Sequence, residues 1–557
     1  MMDGLLKKNN FRYGVLCLIL LTGLFIRTYH QDLYTYGSDQ AMHIEISEGH
    51  SLGEVWQFSK NETHPPLDYF MHYFWMKISH DITWNYALGF IYDTITILLF
   101  YLVGNKLHPG CGLIAALLAA LCPTMVTMSQ LIRSNSIFLM FMMGGLYSFL
   151  QWMETRQEKW LALYVLTGCL MVASHFSAII PLTAMGSVAL YHFGREKNWR
   201  LACLWIIGNG IVALLLLFFY LQISWTIFVY ALPKTSFIVS LQNIIPQFIL
   251  LLVDYLPYYL PNFTDQLPDL LKHDKLSYMI ISNLTKGLFV YFIYPILIES
   301  RKTQPLIFQI TIAGVAVLLV LCLFQCYDTV PRHNIWIAPF IILPCAIWLY
   351  QKVKLYPVIF TMLAVSTILI PFHDDQYRKN DETMTRAEID EWRHYIKDHV
   401  EPGDIIVGGR NAIIIFYEHM LGRNYYRELP VLNDKSYYTR NHIDIRNSEM
   451  LAMDEAGRAY ISPAYEFTLM TPEDFDIFFK NVIEKNELKD AHHIWFLSAF
   501  DANEHLAEHL AACPALKNEI QDRFIHPGDR VLFFGLPKAD LPEIIKPDGK
   551  FRSCLQP

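Results

Sequence analysis

One polar stretch near the N-terminus carries side chains suited to acid–base chemistry. It contains Asp39-Gln40, then Glu62, and then His64 followed by two prolines. A carboxylate within reach of a hydroxyl or amine can remove its proton, so Asp39 is the candidate general base. The competing interpretation is a solvated loop residue or a helix N-cap. Proline restricts its own φ and the residue before it, so His64 is either held over a substrate or simply ends a loop before a helix that starts at Leu67.

Three later polar turns, each between long apolar runs, carry further candidates. The fork of donors on Arg133 suits phosphate oxygens, although an arginine at this position also serves as a snorkelling anchor. His175 has no charged neighbour in the sequence, and a hydrogen-bonded structural role is its alternative. Arg332 and His333 share a short turn with Asp328, so Arg332 either contacts a lipid phosphate or pairs with that aspartate.

The composition predicts the elements that must position these residues. Of the 557 residues, 53% are hydrophobic and 17% are charged, against about 25% charged in soluble proteins. From Phe11 to Phe372 the charges are confined to short clusters, and beyond Phe372 the composition is that of an ordinary globular protein. We therefore predict an α-helical polytopic membrane domain over 1–375 and a soluble domain over 376–557. The net charge of −8 and the absence of a long basic stretch exclude nucleic acid as a partner.

The apolar runs predict about eleven membrane spans, since a spanning helix needs about 20 mostly apolar residues. The stretch from Trp160 to Gly194 has no acidic or basic residue except histidine and is too long for one helix, so we divide it near Ser174-His175. The run 240–256 is either a further span or an interfacial helix. The remaining predicted spans are 13–27, 83–103, 110–129, 134–153, 200–223, 276–298, 306–326, 334–350 and 355–372.

Eleven spans place the basic clusters on one side, which the positive-inside pattern identifies as the cytoplasm. The N-terminus is then cytoplasmic, and the loops 28–82 and 225–275, the candidate site residues and the C-terminal domain face outward. If 240–256 crosses the membrane, the C-terminal domain moves to the cytoplasm. The clusters consist of Lys7, Lys8, Arg12, Lys106, Arg156, Lys159, Arg195, Lys197, Arg200, Arg301, Lys302, Lys352 and Lys354.

The C-terminal part alternates short apolar runs with helical patterns, which is typical of an α/β domain. The predicted helices are 386–399 and 503–511. The domain either caps and stabilises the outer loops or recognises an acceptor. The predicted strands are 405–407, 459–461, 494–497 and 531–534.

The order of these motifs resembles that of the membrane glycosyltransferases of the C-type fold. More narrowly, it is similar to the clade of protein O-mannosyltransferases, aminoarabinose transferases and related lipopolysaccharide-modifying sugar transferases, over roughly residues 11–372. The resemblance implies a polyprenyl-phosphate sugar donor, a glycolipid or protein acceptor, and a location in the bacterial inner membrane with the C-terminal domain periplasmic. The motifs that carry it are Asp39-Gln40, His64-Pro65-Pro66-Leu67, Ser129-Gln-Leu-Ile-Arg133, Ser174-His175-Phe176-Ser177 and Pro331-Arg332.

The resemblance also assigns roles to residues. It implies a single inverting displacement in which Asp39 is the general base. The family has an Asp-Glu pair where this chain has Asp39-Gln40, so the second carboxylate is absent and Glu62 or Glu45 is the candidate to replace it. Arg133 and Arg332 match arginines of the family and are expected to contact the donor phosphate. The full set of expected substrate-binding residues is Gln40, Glu62, His64, Arg133, His175, Arg332 and His333.

Two other classes of function compete with the enzyme. A transporter or flippase for a lipid-linked sugar would also need basic groups near lipid phosphates, but transporters often contain internal repeats, and we find no convincing repeat in the sequence. A non-catalytic assembly factor would use the soluble domain to bind a partner. The large first loop with Asp39 and His64 favours the enzyme. The sequence requires no cofactor, and it is compatible with a divalent metal.

Overall fold

The computed structural model describes residues 9–29, 38–49, 51–60, 64–79, 81–222, 296, 298–323 and 331–352, together with five β-strands beyond residue 400. The chain divides into two compact units, Met1–Gln31 with Glu62–Asp375, and Asp32–Asn61 with Gln376–Pro557. The run 240–256, the predicted span 355–372 and nearly all of 276–298 lie outside the described residues.

The described part of the first unit is almost entirely helical, and six of its helical segments are long and apolar enough to cross a membrane. These segments are Phe11–Thr28, Thr83–Leu107, Asn135–Thr155, Phe176–Arg195, Trp199–Gln222 and Asn334–Lys352. The chain is therefore an integral membrane protein. Two short 3-10 segments, Phe176–Ala178 and Pro331–Ile337, precede helices. The described helices are α1 (Asn9–Thr28), α2 (Ser38–Ser47), α3 (Leu52–Ser59), α4 (Leu67–Met76), α5 (Ile82–Leu107), α6 (Gly112–Ala120), α7 (Pro123–Ser129), α8 (Asn135–Thr155), α9 (Glu158–Ser174), α10 (Ile179–Arg195), α11 (Trp199–Gln222), α12 (Pro305–Leu323) and α13 (Ala338–Lys352).

The predicted division of the stretch from Trp160 to Gly194 is observed, and the predicted span 110–129 is wrong. Helix α9 ends at Ser174, which divides the long charge-free stretch as predicted. The run 110–129 is not one spanning helix, because α6 ends at Ala120 and α7 begins at Pro123. A residue before proline avoids the helical region, and Cys122 accordingly has φ −68° and ψ 118°. The total of eleven spans stays a prediction.

Helices α5 and α8 run parallel, which defines two ends of the first unit. In their first halves, Leu88 and Tyr92 of α5 form one buried cluster with Ile137 of α8. Near their ends, Lys106 Nζ donates to Gln151 Oε1 at 3.1 Å. We call the end at which α5 and α8 begin the site end, and the opposite end the basic end. Within the described residues, four ion pairs lie at the basic end, in agreement with the clustering of basic residues expected from the sequence: Lys106–Glu154, Arg156–Glu196, Arg200–Glu158 and Lys352–Glu299.

An aromatic cluster around Trp205 fixes helices α8 to α11 to one another. The Trp205 ring stacks on Trp152 of α8 and Tyr164 of α9, with ring centroids 5.1 and 4.5 Å apart. Its Nε1 donates to the carbonyl of Gly186 in α10 at 3.2 Å. A buried indole whose N–H has a partner contributes a large apolar area without leaving a polar group unsatisfied. The cluster therefore makes this part of the bundle rigid.

The described part of the second unit contains α2, α3 and five strands: β1 (Ile405–Gly408), β2 (Ser448–Met453), β3 (Ala459–Pro463), β4 (His493–Ala499) and β5 (Val531–Pro537). The strands form one sheet of order β2-β3-β1-β4-β5. β1 is parallel to both β3 and β4, while β2 and β5 are antiparallel edge strands. All four predicted strands are observed and β2 was missed, because Ser-Glu-Met-Leu-Ala-Met contains mainly helix-forming residues. The predicted helices 386–399 and 503–511 lie outside the described residues, so the α/β class stays a prediction.

Candidate functional site

Two histidines that are far apart in the sequence meet at the site end. The rings of His64 and His175 lie edge to face, with centroids 5.2 Å apart. His175 also lies against Phe138 in the first turn of α8, at 5.5 Å. His64 is half-buried and His175 is buried. The prolines after His64 end the loop, and α4 begins at Leu67 as predicted.

The local backbone selects the tautomer of the neutral His175 ring. His175 has an extended backbone, with φ −155° and ψ 137°, and it caps the short 3-10 turn that follows α9. Its Nδ1 accepts a hydrogen bond from the backbone N–H of Ser177 at 3.1 Å. An imidazole whose Nδ1 accepts must carry its proton on Nε2 when neutral. His175 therefore presents a donor at Nε2, which suits an oxygen-rich ligand such as a phosphate or a sugar.

Helix α4 brings a buried acid and a buried histidine to the same region. Asp68 is fully buried and His72, one turn later, is 3% exposed. A carboxylate oxygen of Asp68 and a ring nitrogen of His72 lie within 4.8 Å of each other. Trp75 and Trp84 stack with centroids 4.4 Å apart, and each indole N–H donates to the other residue's carbonyl. This reciprocal contact holds α4 against the start of α5.

The turn between α7 and α8 carries Arg133, which is half-buried. The turn lies so close to α5 that a methyl group on Gly89 would stand 2.6 Å from the Ser129 carbonyl oxygen. The hydroxyl of Ser136 donates back to the Met128 carbonyl at 3.1 Å. These contacts fix the backbone on both sides of Arg133, and its guanidinium supplies a cation at the site end.

The 3-10 segment Pro331–Ile337 reaches the same end of the unit. It contacts the turn Phe176–Ala178 and helices α7 and α8. Asn334 within it is fully buried and its Oδ1 accepts from Trp336 Nε1 at 3.2 Å. The backbone positions of Arg332 and His333 are thus near the turns that carry His175 and Arg133, while their side chains lie outside the described residues.

The predicted site residues separate into three groups. His64, Arg133 and His175 lie at the site end, and the backbone of Arg332 and His333 joins them there. Asp39 and Gln40 are in the first turn of α2, in the other compact unit, with Gln40 2% exposed and the Asp39 side chain outside the described residues. Glu62 and Glu45 likewise have no described side chain.

Sequence reasoning missed three buried polar residues, Asp68, His72 and Arg27. Asp68 and His72 were detectable, because an acid and a histidine spaced by four residues share one face of a helix. The position of Asp93 inside an apolar run favours a helix-packing role. The sequence does not reveal its partner Arg27, because an arginine after an apolar run is usually an interfacial anchor. The structure instead buries Arg27 completely and pairs it with Asp93.

A family model described as dolichyl-phosphate-mannose-protein mannosyltransferase matches residues 63–225. The matched segment is less than one third of the chain and contains His64, Arg133 and His175. It confirms, over this segment, the resemblance to the protein O-mannosyltransferase clade that the motifs predicted. No curated protein sequence gives a significant match.

Among solved structures, the chain is similar to ArnT from Cupriavidus metallidurans bound to undecaprenyl phosphate, with 11% identity, 94% of this chain and 98% of that chain covered, and a TM-score of 0.47. It is also similar to the Archaeoglobus fulgidus oligosaccharyltransferase in complex with Zn and sulfate, with 11% identity, coverage of 91% and 71%, and a TM-score of 0.45. A third similarity is to AglB of that organism with an inhibitory peptide and a dolichol-phosphate, with 12% identity, coverage of 88% and 70%, and a TM-score of 0.41. At such scores and identities these likenesses carry no argument about function.

Proposed function

We propose that this protein transfers a sugar from a polyprenyl-phosphate donor to a glycolipid or protein acceptor on the non-cytoplasmic face of the membrane. We place it in the bacterial inner membrane with its N-terminus in the cytoplasm and its C-terminal domain in the periplasm. The observation that carries the proposal is the contact between His64 and His175, at the end of the unit that also carries Arg133. All three residues fall in the segment matched by the mannosyltransferase family model.

The charges at the two ends of the first unit support this orientation. The basic end carries lysines and arginines paired with glutamates, as a cytoplasmic surface would. The described residues at the site end include histidines, Arg133 and buried polar groups, on which a lipid-linked phosphate can bind from the membrane. The guanidinium of Arg133 can donate charge-assisted hydrogen bonds to the phosphate oxygens, and the Nε2–H of His175 adds a further donor.

The reaction proposed is a single displacement at the anomeric carbon. The Asp39 carboxylate takes the proton of the acceptor hydroxyl or amine while the acceptor atom forms its bond to that carbon. The bond between the anomeric carbon and the phosphate oxygen breaks with its electron pair, so polyprenyl phosphate leaves with added negative charge. Arg133 and Arg332 are the residues proposed to stabilise that charge, since donors placed before a charge develops are the most effective. The configuration at the anomeric carbon inverts.

No metal is required by this mechanism, but one pair of residues fits a divalent cation. The Asp68 carboxylate and the His72 imidazole supply oxygen and nitrogen ligands within 4.8 Å of each other, a donor set that zinc accepts. A cation held there would act as a Lewis acid towards phosphate oxygens.

Asp39→Asn tests the proposal, with Glu158→Gln, an exposed carboxylate at the basic end, as the matched control. With purified protein in nanodiscs and a labelled polyprenyl-phosphate sugar, we expect Asp39→Asn to abolish label transfer to a membrane extract while binding of the donor persists. The control variant should transfer normally. Undiminished transfer by Asp39→Asn would refute the catalytic role. The alternative function, a transporter or flippase of the lipid-linked sugar, predicts movement of the donor across a liposome membrane without its consumption.

A further inference from the structure

Arg27 links three separate parts of the first unit from a fully buried position. Its Nε donates to the Asp93 carboxylate on α5. Its Nη1 donates to the Ala120 carbonyl at 2.8 Å and to the Gly23 carbonyl at 2.9 Å. The last carbonyls of a helix have no partner within the helix, so this arginine satisfies the end of α6 at the break before Pro123.

The same residue also contacts the far end of the interrupted segment. The backbone carbonyl of Arg27 accepts from Gln130 Nε2 at 3.2 Å. Gln130 is the residue after α7 and stands three positions before Arg133. Arg27 therefore contacts both the entry to α7 and its exit, although the two contacts are ten residues apart along the chain.

Helix α5 completes this arrangement on one face. Gly89 and Asp93 are one turn apart and so lie on the same face of the helix. Gly89 allows the Ser129 carbonyl to approach α5 closely, and Asp93 pairs with Arg27. The segment from the end of α6 to the turn after α7 is thus fixed at three points, Ala120, Ser129 and Gln130. We call Arg27, Asp93, Gly89 and Gln130 together the Arg27 clamp.

We propose that the Arg27 clamp is a positioning device for the donor phosphate, acting through Arg133. The interruption at Leu121–Cys122 leaves α7 as a helix of seven residues, too short to hold its own orientation by hydrogen bonding alone. The clamp sets where the turn after α7 lies, and therefore where the guanidinium of Arg133 meets the lipid phosphate. This inference rests on the proposed function, because it needs Arg133 to bind the donor phosphate. Arg27, Asp93 and Gln130 are positioning residues and do not themselves touch the donor.

Gln130→Ala is the most direct test, because it removes the contact at the exit of α7 without leaving a buried charge unpaired. Gln151→Ala is the matched control: Gln151 also bonds side chains of the bundle, Lys106 and Tyr147, but at the basic end. The probe is polyprenyl phosphate without sugar, titrated against the full-length protein in nanodiscs. We expect the Kd to rise about 3- to 10-fold for Gln130→Ala, as for loss of one ordinary hydrogen bond in the positioning of a ligand. The control should bind as the wild type does, with both melting temperatures close to the wild-type value.

A double-mutant cycle separates this inference from the proposed function. If the clamp acts through Arg133, Gln130→Ala should have no further effect on Kd in an Arg133→Ala background. An unchanged Kd for Arg133→Ala alone would refute the donor-phosphate role of Arg133. A raised Kd for Arg133→Ala with an unchanged Kd for Gln130→Ala would refute the positioning role of the Arg27 clamp and leave the proposed function standing. The same role would be refuted if Gln130→Ala raised the Kd equally in the wild-type and Arg133→Ala backgrounds. Arg27→Lys keeps the charge next to Asp93 but loses the planar fork, and we expect it to bind polyprenyl phosphate more weakly than Gln130→Ala.

Discussion

Substitution of Gly89 by alanine should move the turn that carries Arg133. The added methyl would stand 2.6 Å from the Ser129 carbonyl oxygen, about 0.8 Å closer than ordinary contact. The methyl group is attached rigidly to the backbone of α5, and the oxygen it meets belongs to the backbone of Ser129. Neither can rotate away, so the turn has to move by a similar distance. Overpacking costs about 1–3 kcal/mol, and replacing a helical glycine by alanine returns about 1 kcal/mol. The net loss of stability is therefore small, at most about 2 kcal/mol.

Gly89→Ala should weaken ligand binding measurably while the protein stays folded. A charge-assisted hydrogen bond contributes about 1.5–3 kcal/mol, and a displaced Arg133 loses a substantial part of it. We expect the Kd for polyprenyl phosphate to rise about 10-fold, which corresponds to about 1.4 kcal/mol. The assay is titration of the lipid into nanodisc-embedded protein, with the melting temperature measured on the same samples.

Gly210→Ala provides the matched control for this prediction. Gly210 is also a helical glycine, on α11, and a methyl group there would meet no atom within 4 Å. This variant should bind polyprenyl phosphate as the wild type does. A wild-type Kd for Gly89→Ala would refute the reasoning that the contact between α5 and the Ser129 carbonyl sets the position of Arg133. A weakening shared equally by both variants would refute it as well.

Two further predictions concern the packing and the histidine pair. Trp205→Ala removes the ring that joins α8 to α11 and should destabilise the protein by about 3–5 kcal/mol. The control, Trp199→Ala, changes a residue that is 69% exposed and should leave the thermal unfolding curve nearly unchanged. Equal unfolding curves for the two variants would contradict the role given to the Trp205 cluster. His175→Asn keeps an acceptor for the Ser177 N–H but lacks the Nε2 donor, so we expect sugar transfer to fall while the melting temperature stays near the wild-type value. His175→Ala leaves that N–H without its acceptor and should lower stability by a further 1–3 kcal/mol or so. Normal sugar transfer by His175→Asn would show that the Nε2 donor has no part in the reaction.

The sequence by itself determined the broad organisation of this protein. Long apolar runs predict spanning helices because every backbone polar group must be satisfied inside a bilayer, and the described helices follow those runs closely. The basic clusters share one end because the order of spans and charged loops along the chain sets which loops face the same side. The motifs around His64, Arg133 and His175 were also identifiable as local patterns of residue types.

The tertiary structure decided which of these residues meet and what holds them in place. The contact between His64 and His175 joins positions 111 residues apart, and no local pattern encodes such a distance. The broken helix at Leu121–Cys122 was predicted as continuous because its composition is that of a span, and only the buried guanidinium of Arg27 shows how its free carbonyls are satisfied. A buried arginine looks the same in the sequence as an interfacial one. Its partner Asp93 is 66 residues away, so three-dimensional packing alone determines whether that charge is paired inside the bundle or solvated at its edge.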